Sequence, residues 1–388
     1  MLRLAAESAF LRGADIAAFG ITRVGDVTDL DVIGIPVWCA TRPNSRNLSQ
    51  SQGKGLTPYQ AMISAIMESA EGAVAEQTRE LVCEFGSFDS LDEKGRPVVE
   101  LSSIDRCRFG VFERRRERAW VQGVSFPSGK PFLSPYELIG LDMRSGFPWD
   151  HRTFKMGSAG LAAGFGFEFA ALRALLELVE RDAIVLVQAL GLQRMFARPV
   201  AWRAGAHEGL DEAIAKVRAA GLEPRFFEVP SRFGLPVIAA VITRPVLQAD
   251  GAGHRLSGGY SCRFSVGDAA LAALLEAVQS RLTNIAGSRD DMDEEEYQIA
   301  HYRLPPAAAD REALDRAGPG FPQLADMDDG ERLQWLVRRL RDGGCEDVYL
   351  FDLPGPVAAV HVVRALVPGL RAYFEGEATR VSVGTMLG

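Results

Sequence analysis

Carboxylates recur at short helical spacings in three apolar stretches of the chain. The stretches contain the sequences ESAE (68–71), ELVE (177–180) and EAVQ (276–279), so each glutamate is followed three positions later by glutamate or glutamine. Side chains three or four positions apart lie on one face of a helix. Because the flanking residues are largely apolar, each helix is expected to be buried around most of its circumference.

Buried carboxylates need a partner, because an isolated buried charge is costly unless it is paired or bound to metal. Carboxylates that converge from different helices therefore require a shared cation, and hard oxygen ligands favour Mg²⁺. Mg²⁺ held in this way usually also binds substrate phosphates. The pattern predicts a nucleotide site. A single E-x-x-E step is common on solvated helix faces, so the prediction depends on its threefold recurrence.

A lysine in a glycine-rich loop is a second candidate for phosphate binding. Lys54 lies in the sequence QGKG (52–55), which lacks the spacing of a standard P-loop. It could still contact a phosphate as a point charge. The alternative is an ordinary surface lysine.

Composition excludes several classes of protein. The chain has 388 residues with a net charge of −8, which argues against general nucleic-acid binding. The five cysteines are widely spaced with no C-x-x-C pair, so neither a disulfide framework nor a zinc ribbon is expected. The N-terminal residues lack the pattern of a signal peptide, and the longest apolar stretches are too short to span a bilayer. We predict a cytoplasmic protein that does not enter membranes.

The predicted elements are mixed helices and strands. Helices are expected at 58–83, 168–192 and 269–282, with a buried strand at 31–40 and hairpins over 107–142. Residues 209–247 and 331–368 each follow the order helix, strand, strand, and they look like copies of one unit. We therefore predict an α+β fold with mostly antiparallel sheets, in one domain over residues 1–388. The segments 290–296 and 304–310 are expected to be solvated loops.

At these residues the sequence resembles the YcaO superfamily, over about residues 20–370. The stretches ELVERDA (177–183) and QSRLTNIAGSRDD (279–291) carry the resemblance most specifically. The second of these, together with VVRALVPGL (362–370), is similar to YcaO proteins that act beside a TfuA partner. Supporting similarity lies in residues 41–57, 64–72, 158–164 and 273–278.

The resemblance implies ATP-dependent activation of a peptide backbone amide, in a peptide or protein substrate, with Mg²⁺ held by glutamates. TfuA-associated members are linked to thioamide formation, so a TfuA-like protein and a sulfur donor are the implied partners; a homodimer is left open. The residues implied to hold Mg²⁺ are Glu68, Glu71, Glu177, Glu180 and Glu276, and those implied to bind ATP are Lys54, Ser64, Arg181, Gln279 and Arg281.

Three positions depart from the family pattern. Gly72 stands where the first motif usually ends in arginine, and Phe165 and Phe169 stand where an asparagine and a glutamate are common. Two alternatives accompany thioamidation. One is azoline formation by a cyclodehydratase on the same fold. The other, which Phe165 and Phe169 favour, is a non-catalytic scaffold that binds a peptide or partner. A prenyl-diphosphate enzyme is disfavoured because the chain has many strands and no D-D-x-x-D run.

Overall fold

Three antiparallel sheets and eight helices form the part of the chain that the computed structural model describes, which comprises residues 14–107, 109–126, 128–144, 149–150, 152–189, 198–243, 257–287 and 321–373. The strands are β1 (Arg23–Asp26), β2 (Val37–Thr41), β3 (Gln50–Lys54), β4 (Val82–Ser87), β5 (Glu117–Ser125), β6 (Pro131–Pro135), β7 (Leu161–Gly164), β8 (Pro199–Val200), β9 (Glu223–Glu228), β10 (Val237–Thr243), β11 (Ser257–Cys262), β12 (Tyr349–Leu353) and β13 (His361–Leu366). The helices are α1 (Ala14–Ala18), α2 (Pro58–Ala75), α3 (Thr78–Leu81), α4 (Phe88–Glu93), α5 (Phe167–Ala189), α6 (Glu208–Ala219), α7 (Val266–Ala286) and α8 (Asp329–Asp342).

The sheet topology confirms the predicted α+β class with antiparallel pairing. The strand orders are β1-β2-β3, β11-β10-β9-β8 and β4-β5-β12-β13-β7, with β6 paired to β5. The two stretches predicted as copies contain α6-β9-β10 and α8-β12-β13, and in each the two strands pair antiparallel. Their descent from one duplicated unit stays a prediction, as does the single domain.

Helix ends differ from the predictions for local reasons. The first long helix ends at Ala75 rather than near residue 83, because Glu76 closes it and turns its side chain toward Arg42; a short helix and β4 follow. The strand expected at 31–40 is β2 and begins only at Val37. The predicted end of α5 near residue 192 and both predicted acidic or proline-rich loops lie outside the described residues.

Each of the three acidic helices directly follows an edge strand, and each of those strands belongs to a different sheet. The pairs are β3 with α2, β7 with α5, and β11 with α7. Each helix also packs its apolar side into its own hydrophobic cluster. The carboxylates consequently come from three separate packing units that meet at one place.

Helix starts are fixed by local hydrogen bonds in two of these units. Thr57 caps α2 by accepting a hydrogen bond from the backbone N–H of Gln60, and Pro58 occupies the first turn. Ser265 caps α7 in the same way, accepting from the N–H of Asp268 at 3.1 Å. These caps fix where each helix begins and therefore which residues point toward the meeting place.

Glycines allow the edge strands to lie directly on the helices that follow. A Cβ placed on Gly53 in β3 would lie 1.9 Å from the backbone nitrogen of Ala65 in α2. A Cβ on Gly259 in β11 would lie 2.3 Å from the carbonyl oxygen of Ala273 in α7. Both contacts are with helix backbone, so a side chain could be accommodated only by moving the helix away from its sheet.

Among the described residues, no helix combines the length and the apolar character that a transmembrane span requires.

We expect Gly53→Ala to destabilise the protein by about 1–3 kcal/mol, because its methyl group would collide with the backbone of α2. Gly25→Ala is the matched control in the same sheet, since the nearest atom to its Cβ would be 3.8 Å away. Urea unfolding measures both. Equal free energies of unfolding in the two variants would contradict the close approach of β3 to α2.

Candidate functional site

A cavity of about 1600 Å³ lies where the three strand–helix units meet. Five carboxylates and five cationic side chains of the described residues line it, so the formal charges of this part of the wall are balanced. The carboxylates are all five of the glutamates predicted from the sequence. The charged lining consists of Glu68, Glu71, Glu177, Glu180 and Glu276 together with Lys54, Lys155, Arg173, Arg181 and Arg263.

The first helix contributes Ser64, Glu68 and Glu71 to the cavity wall. Glu71 is anchored across the cavity, because its Oε1 accepts a hydrogen bond of 2.8 Å from the backbone N–H of Ala163 in β7. Burial raises the pKa of Glu71 to about 8, and the charge of Glu68 adds to the increase. The Ala163 contact opposes that shift but does not cancel it. Glu71 therefore links α2 to the sheet that contains β7.

The second helix contributes Glu177, Glu180 and Arg181. Arg181 Nη2 lies 3.6 Å from Glu177 Oε1 one helical turn away. Glu180 is only 6% exposed, and its Oε2 accepts a hydrogen bond of 3.3 Å from the backbone N–H of Cys262 in β11. Burial, followed by the charge of Glu276, raises the pKa of Glu180 to about 8. Burial also raises the pKa of Glu177, against the opposing charge of Arg181.

The third helix contributes Glu276 and Gln279. Lys54 Nζ, at the end of β3, lies 3.4 Å from Glu276 Oε2, so the predicted phosphate-binding lysine does reach the site. Gln279 donates a hydrogen bond of 3.1 Å to the backbone oxygen of Gln52. Arg281 faces elsewhere: its Nε and Nη2 lie 2.9 and 3.1 Å from the carboxylate of Asp31. The structure therefore does not bring Arg281 to the cavity wall, and its contact with ATP remains an untested prediction.

Sequence reasoning missed two arginines of the cavity wall. Arg173 lies one turn before Glu177 on α5, and Arg263 follows β11. The charge of Arg263, and then burial, lower the pKa of Arg173 to about 10. The signal for Arg173 was present in the sequence, since it stands four residues before Glu177 on the same helix face. Arg263 had no such periodicity to mark it.

The structure places all three residues that depart from the family pattern. A Cβ on Gly72 would lie 3.0 Å from Nη1 of Arg42, whose guanidinium fills that space and pairs with Glu76. Phe169 lines the cavity, and Phe165 packs against the core cluster under α2. The cavity therefore has an aromatic side chain in its wall close to its carboxylates.

The donor set fits Mg²⁺ that is shared with phosphate. Within the described part of the chain, no three acidic, histidine or cysteine side chains come close enough to enclose a metal ion by themselves. Mg²⁺ commonly keeps several waters and takes one or two carboxylates plus phosphate oxygens. Burial, and then the charge of a neighbouring carboxylate, raise the pKa values of Glu71 and Glu180. An added cation would lower those pKa values by direct attraction.

Cysteine does not supply a reactive group to this cavity in the described residues. Cys262 adjoins the site in sequence but is fully buried, and burial raises the pKa of its thiol. A thiol is nucleophilic as the thiolate, so this shift disfavours reactivity. The side chain is a small core residue, as expected from the sequence.

Comparisons with known proteins agree with this geometry. Residues 52–371 match the family model described as YcaO cyclodehydratase, ATP- and Mg²⁺-binding. An uncharacterised protein in the tfuA 3′ region of Rhizobium leguminosarum bv. trifolii is 34% identical over 370 residues, which covers 92% of this chain and 86% of that protein.

Two solved structures share the fold. YcaO from Methanopyrus kandleri, bound with AMPPCP and Mg²⁺, has a TM-score of 0.68 at 23% identity and covers 96% of this chain and 92% of its own. A heterocyclase in complex with substrate and cofactor has a TM-score of 0.69 at 18% identity, covering 98% of this chain and 55% of its own. At these identities the likeness establishes the fold alone.

We expect the metal-free chain to lose stability as the pH rises. Glu71 and Glu180 have a pKa of about 8 in the folded state against an ordinary 4.5, so between those values the folded state binds more protons than the unfolded state. Their contribution is complete below about pH 4.5 and is lost progressively up to about pH 8. Glu180→Gln should therefore be more stable than the parent chain at pH 8, by roughly 1–3 kcal/mol.

Urea unfolding at several pH values, with a chelator present, measures this effect. Glu168→Gln is the matched control, because Glu168 is an exposed residue of the same helix outside the cavity wall. Its pH dependence should equal that of the parent chain. An unchanged slope in Glu180→Gln would show that the buried carboxylate does not titrate as described.

Proposed function

The chain belongs to the YcaO family, which binds ATP and Mg²⁺, and we propose from that premise that it is an enzyme that activates a peptide backbone amide. The substrate is a peptide or protein, and the product is a thioamide. The observation that carries the proposal is the convergence of five glutamates and five cations in one cavity. A balanced, partly buried arrangement of this kind suits a highly charged nucleotide and its metal ions.

The proposed reaction exchanges the amide oxygen for sulfur. The amide oxygen accepts the γ-phosphoryl group of ATP. ADP departs, and the amide nitrogen loses its proton. Hydrosulfide then attacks the amide carbon, so a C–S bond forms. The C–O bond to the phosphoryl group breaks, inorganic phosphate departs, and the proton of the hydrosulfide returns to the amide nitrogen. No electrons are gained or lost overall.

The cationic residues of the cavity are proposed to bind phosphate, and the glutamates are proposed to bind Mg²⁺. Arg181 is placed to hold a phosphate, because its planar guanidinium can make two parallel contacts with phosphate oxygens. Lys54 adds a point charge beside Glu276. The glutamates of α2, α5 and α7 would hold Mg²⁺, each offering an oxygen ligand. Because Glu71 and Glu180 are also fixed by backbone N–H groups, their carboxylates are oriented before any ligand arrives.

Sulfur must come from outside the described cavity. No cysteine lies in the wall among the described residues, and the adjoining Cys262 thiol is buried. The R. leguminosarum relative in the tfuA 3′ region supports a TfuA-like protein as the partner. We propose that this partner delivers the sulfur, and that the pair works in the cytoplasm.

Azoline formation is the second candidate, and a fold shared with heterocyclases favours it. In that chemistry a neighbouring cysteine, serine or threonine side chain of the substrate replaces hydrosulfide as the nucleophile. The cavity described here would serve both reactions, because the activation step is the same. The mass of the product distinguishes them.

We expect Glu177→Gln and Glu180→Gln each to weaken Mg²⁺-dependent ATP binding by about tenfold or more, because a neutral amide gives up one ligand charge. Calorimetry with ATP at fixed Mg²⁺ measures the change. Glu168→Gln, on the exposed face of the same helix, should bind as the parent chain does. Unchanged affinity in both cavity variants would remove these glutamates from the metal site.

We expect the isolated chain to be nearly silent and to become active with its partner. The purified chain is mixed with a cognate peptide, Mg-ATP and sulfide, with and without a TfuA-like protein, and the peptide is weighed by mass spectrometry. Exchange of oxygen for sulfur adds about 16 Da, whereas azoline formation loses about 18 Da as water. The partner should raise the yield of the heavier product.

Each outcome of that experiment has a distinct meaning. A full yield of the heavier product without the partner would remove the need for it. A loss of water would establish the azoline alternative instead of the thioamide. If no product forms and ATP also fails to bind, the non-catalytic scaffold becomes the better description.

A further inference from the structure

A second, much smaller pocket lies behind the wall of the glutamate cavity. It measures about 130 Å³ and is formed by β13, the segment 367–373 and the loop around residues 104–106. Lys155, Gly157 and Tyr373 line both this side pocket and the large cavity, so the two spaces share a wall. The Tyr373 hydroxyl lies against Gly157, where a Cβ would come within 1.9 Å of it.

The side pocket is strongly positive. Among the described residues, four cationic side chains and a single carboxylate line it, whereas the charges lining the large cavity are equal in number. The remaining wall is mostly aliphatic, which keeps the local dielectric low and strengthens the attraction of an anion. The charged residues are Arg106, Lys155, Arg364, Arg371 and Asp105.

Arg364 gives this pocket an unused hydrogen-bond donor. The residue is 1% exposed, and its Nε and Nη1 donate to the carbonyl oxygens of Ile139 at 3.1 Å and Ala159 at 2.7 Å. Its Nη2 is buried and has no hydrogen-bond partner among the described residues. A buried, unsatisfied charged donor is costly, so an acceptor that enters the pocket would recover that free energy.

We propose that the side pocket binds a small inorganic anion next to the site of amide activation. At about 130 Å³ the side pocket is far smaller than the glutamate cavity of about 1600 Å³, so its size suits a small anion better than a nucleotide. Hydrosulfide and inorganic phosphate both have the required size and negative charge. The subsite is argued from the pocket alone; its use by the nucleophile or by the departing phosphate rests on the proposed function.

The competing role for Arg364 is that of a counterion to the large cavity. Burial lowers the pKa of the Arg364 guanidinium, and the charges of Tyr373 and then of Glu177, a cavity glutamate, oppose that shift. If that were its whole function, anions in solution would bind no better to the parent chain than to a variant at this position. The experiment therefore includes a second cation of the pocket that lies at its exposed rim.

Anaerobic calorimetry on the full chain, titrated separately with hydrosulfide and with inorganic phosphate, tests the subsite. We expect saturable binding of at least one anion. Arg364→Lys should weaken it by roughly tenfold, because the compact ammonium group keeps the charge but cannot contact the Ile139 oxygen, the Ala159 oxygen and the anion at once, as the broad planar guanidinium can. Arg106→Met, at an exposed position, should weaken it by roughly two- to fivefold and reduce its salt dependence.

Two control variants locate the bound anion. Arg115→Met removes a charge whose side chain is 96% exposed and which does not line the pocket, so affinity should be unchanged. Arg181→Met removes a cation of the large cavity only. If Arg181→Met weakens phosphate binding and Arg106→Met does not, the anion lies in the large cavity and the side pocket is not an anion site.

The remaining outcomes separate this proposal from the proposed function. Failure of both anions to saturate, or equal affinity in the parent, Arg364→Lys and Arg106→Met chains, overturns the subsite. Circular dichroism shows whether Arg364→Lys folds. If it does not, the difference in anion affinity between Arg106→Met and Arg115→Met still tests the subsite. Mg-ATP is titrated in a separate calorimetry experiment. If ATP binds and the anions do not, only the side-pocket proposal is rejected. If the anions bind and ATP does not, only the nucleotide site is rejected.

Discussion

Carboxyl groups held together in a confined, partly buried space are the constraint on which this structure depends. Glu71 and Glu180 are kept close to other carboxylates although burial and repulsion both raise their pKa values. Backbone N–H groups from β7 and β11 fix them from neighbouring sheets. Such an arrangement persists only if the surrounding fold holds these side chains rigidly in place. The close backbone contacts at Gly53 and Gly259 supply part of that rigidity.

The placement of the three acidic helices explains how the fold collects these groups. An edge strand ordinarily presents unpaired backbone groups, which is a liability in a sheet. Here the edge strands β3, β7 and β11 each run directly into a helix that packs back on them, and their ends meet. The edge strands of three different sheets thus contribute, with their helices, to the walls of one cavity.

The sequence was informative about the helices and less informative about what lies between them. Periodic carboxylates in apolar surroundings located all five cavity glutamates, because helix periodicity is a local property. Arg263 and Tyr373 escaped notice, since their positions follow from how sheets and segments meet. Arg281 shows how a motif leaves the environment of a side chain open: Asp31, 250 residues away, pairs with it outside the cavity wall, and its contact with ATP stays a prediction. Helix ends also depended on tertiary contacts, as the pairing of Glu76 with Arg42 shows.

The ion pair between Lys54 and Glu276 joins residues 222 positions apart. During synthesis, strand β3 and helix α2 leave the ribosome long before α7 has been made. The nascent chain therefore exposes Lys54 and the glutamates of α2 before Glu276 is available to pair with Lys54. Contacts this distant in sequence close late, because the loop entropy must be overcome first. Nucleotide can therefore assist folding only after the C-terminal part of the chain has been made, and any ribosome-bound intermediate must survive without it.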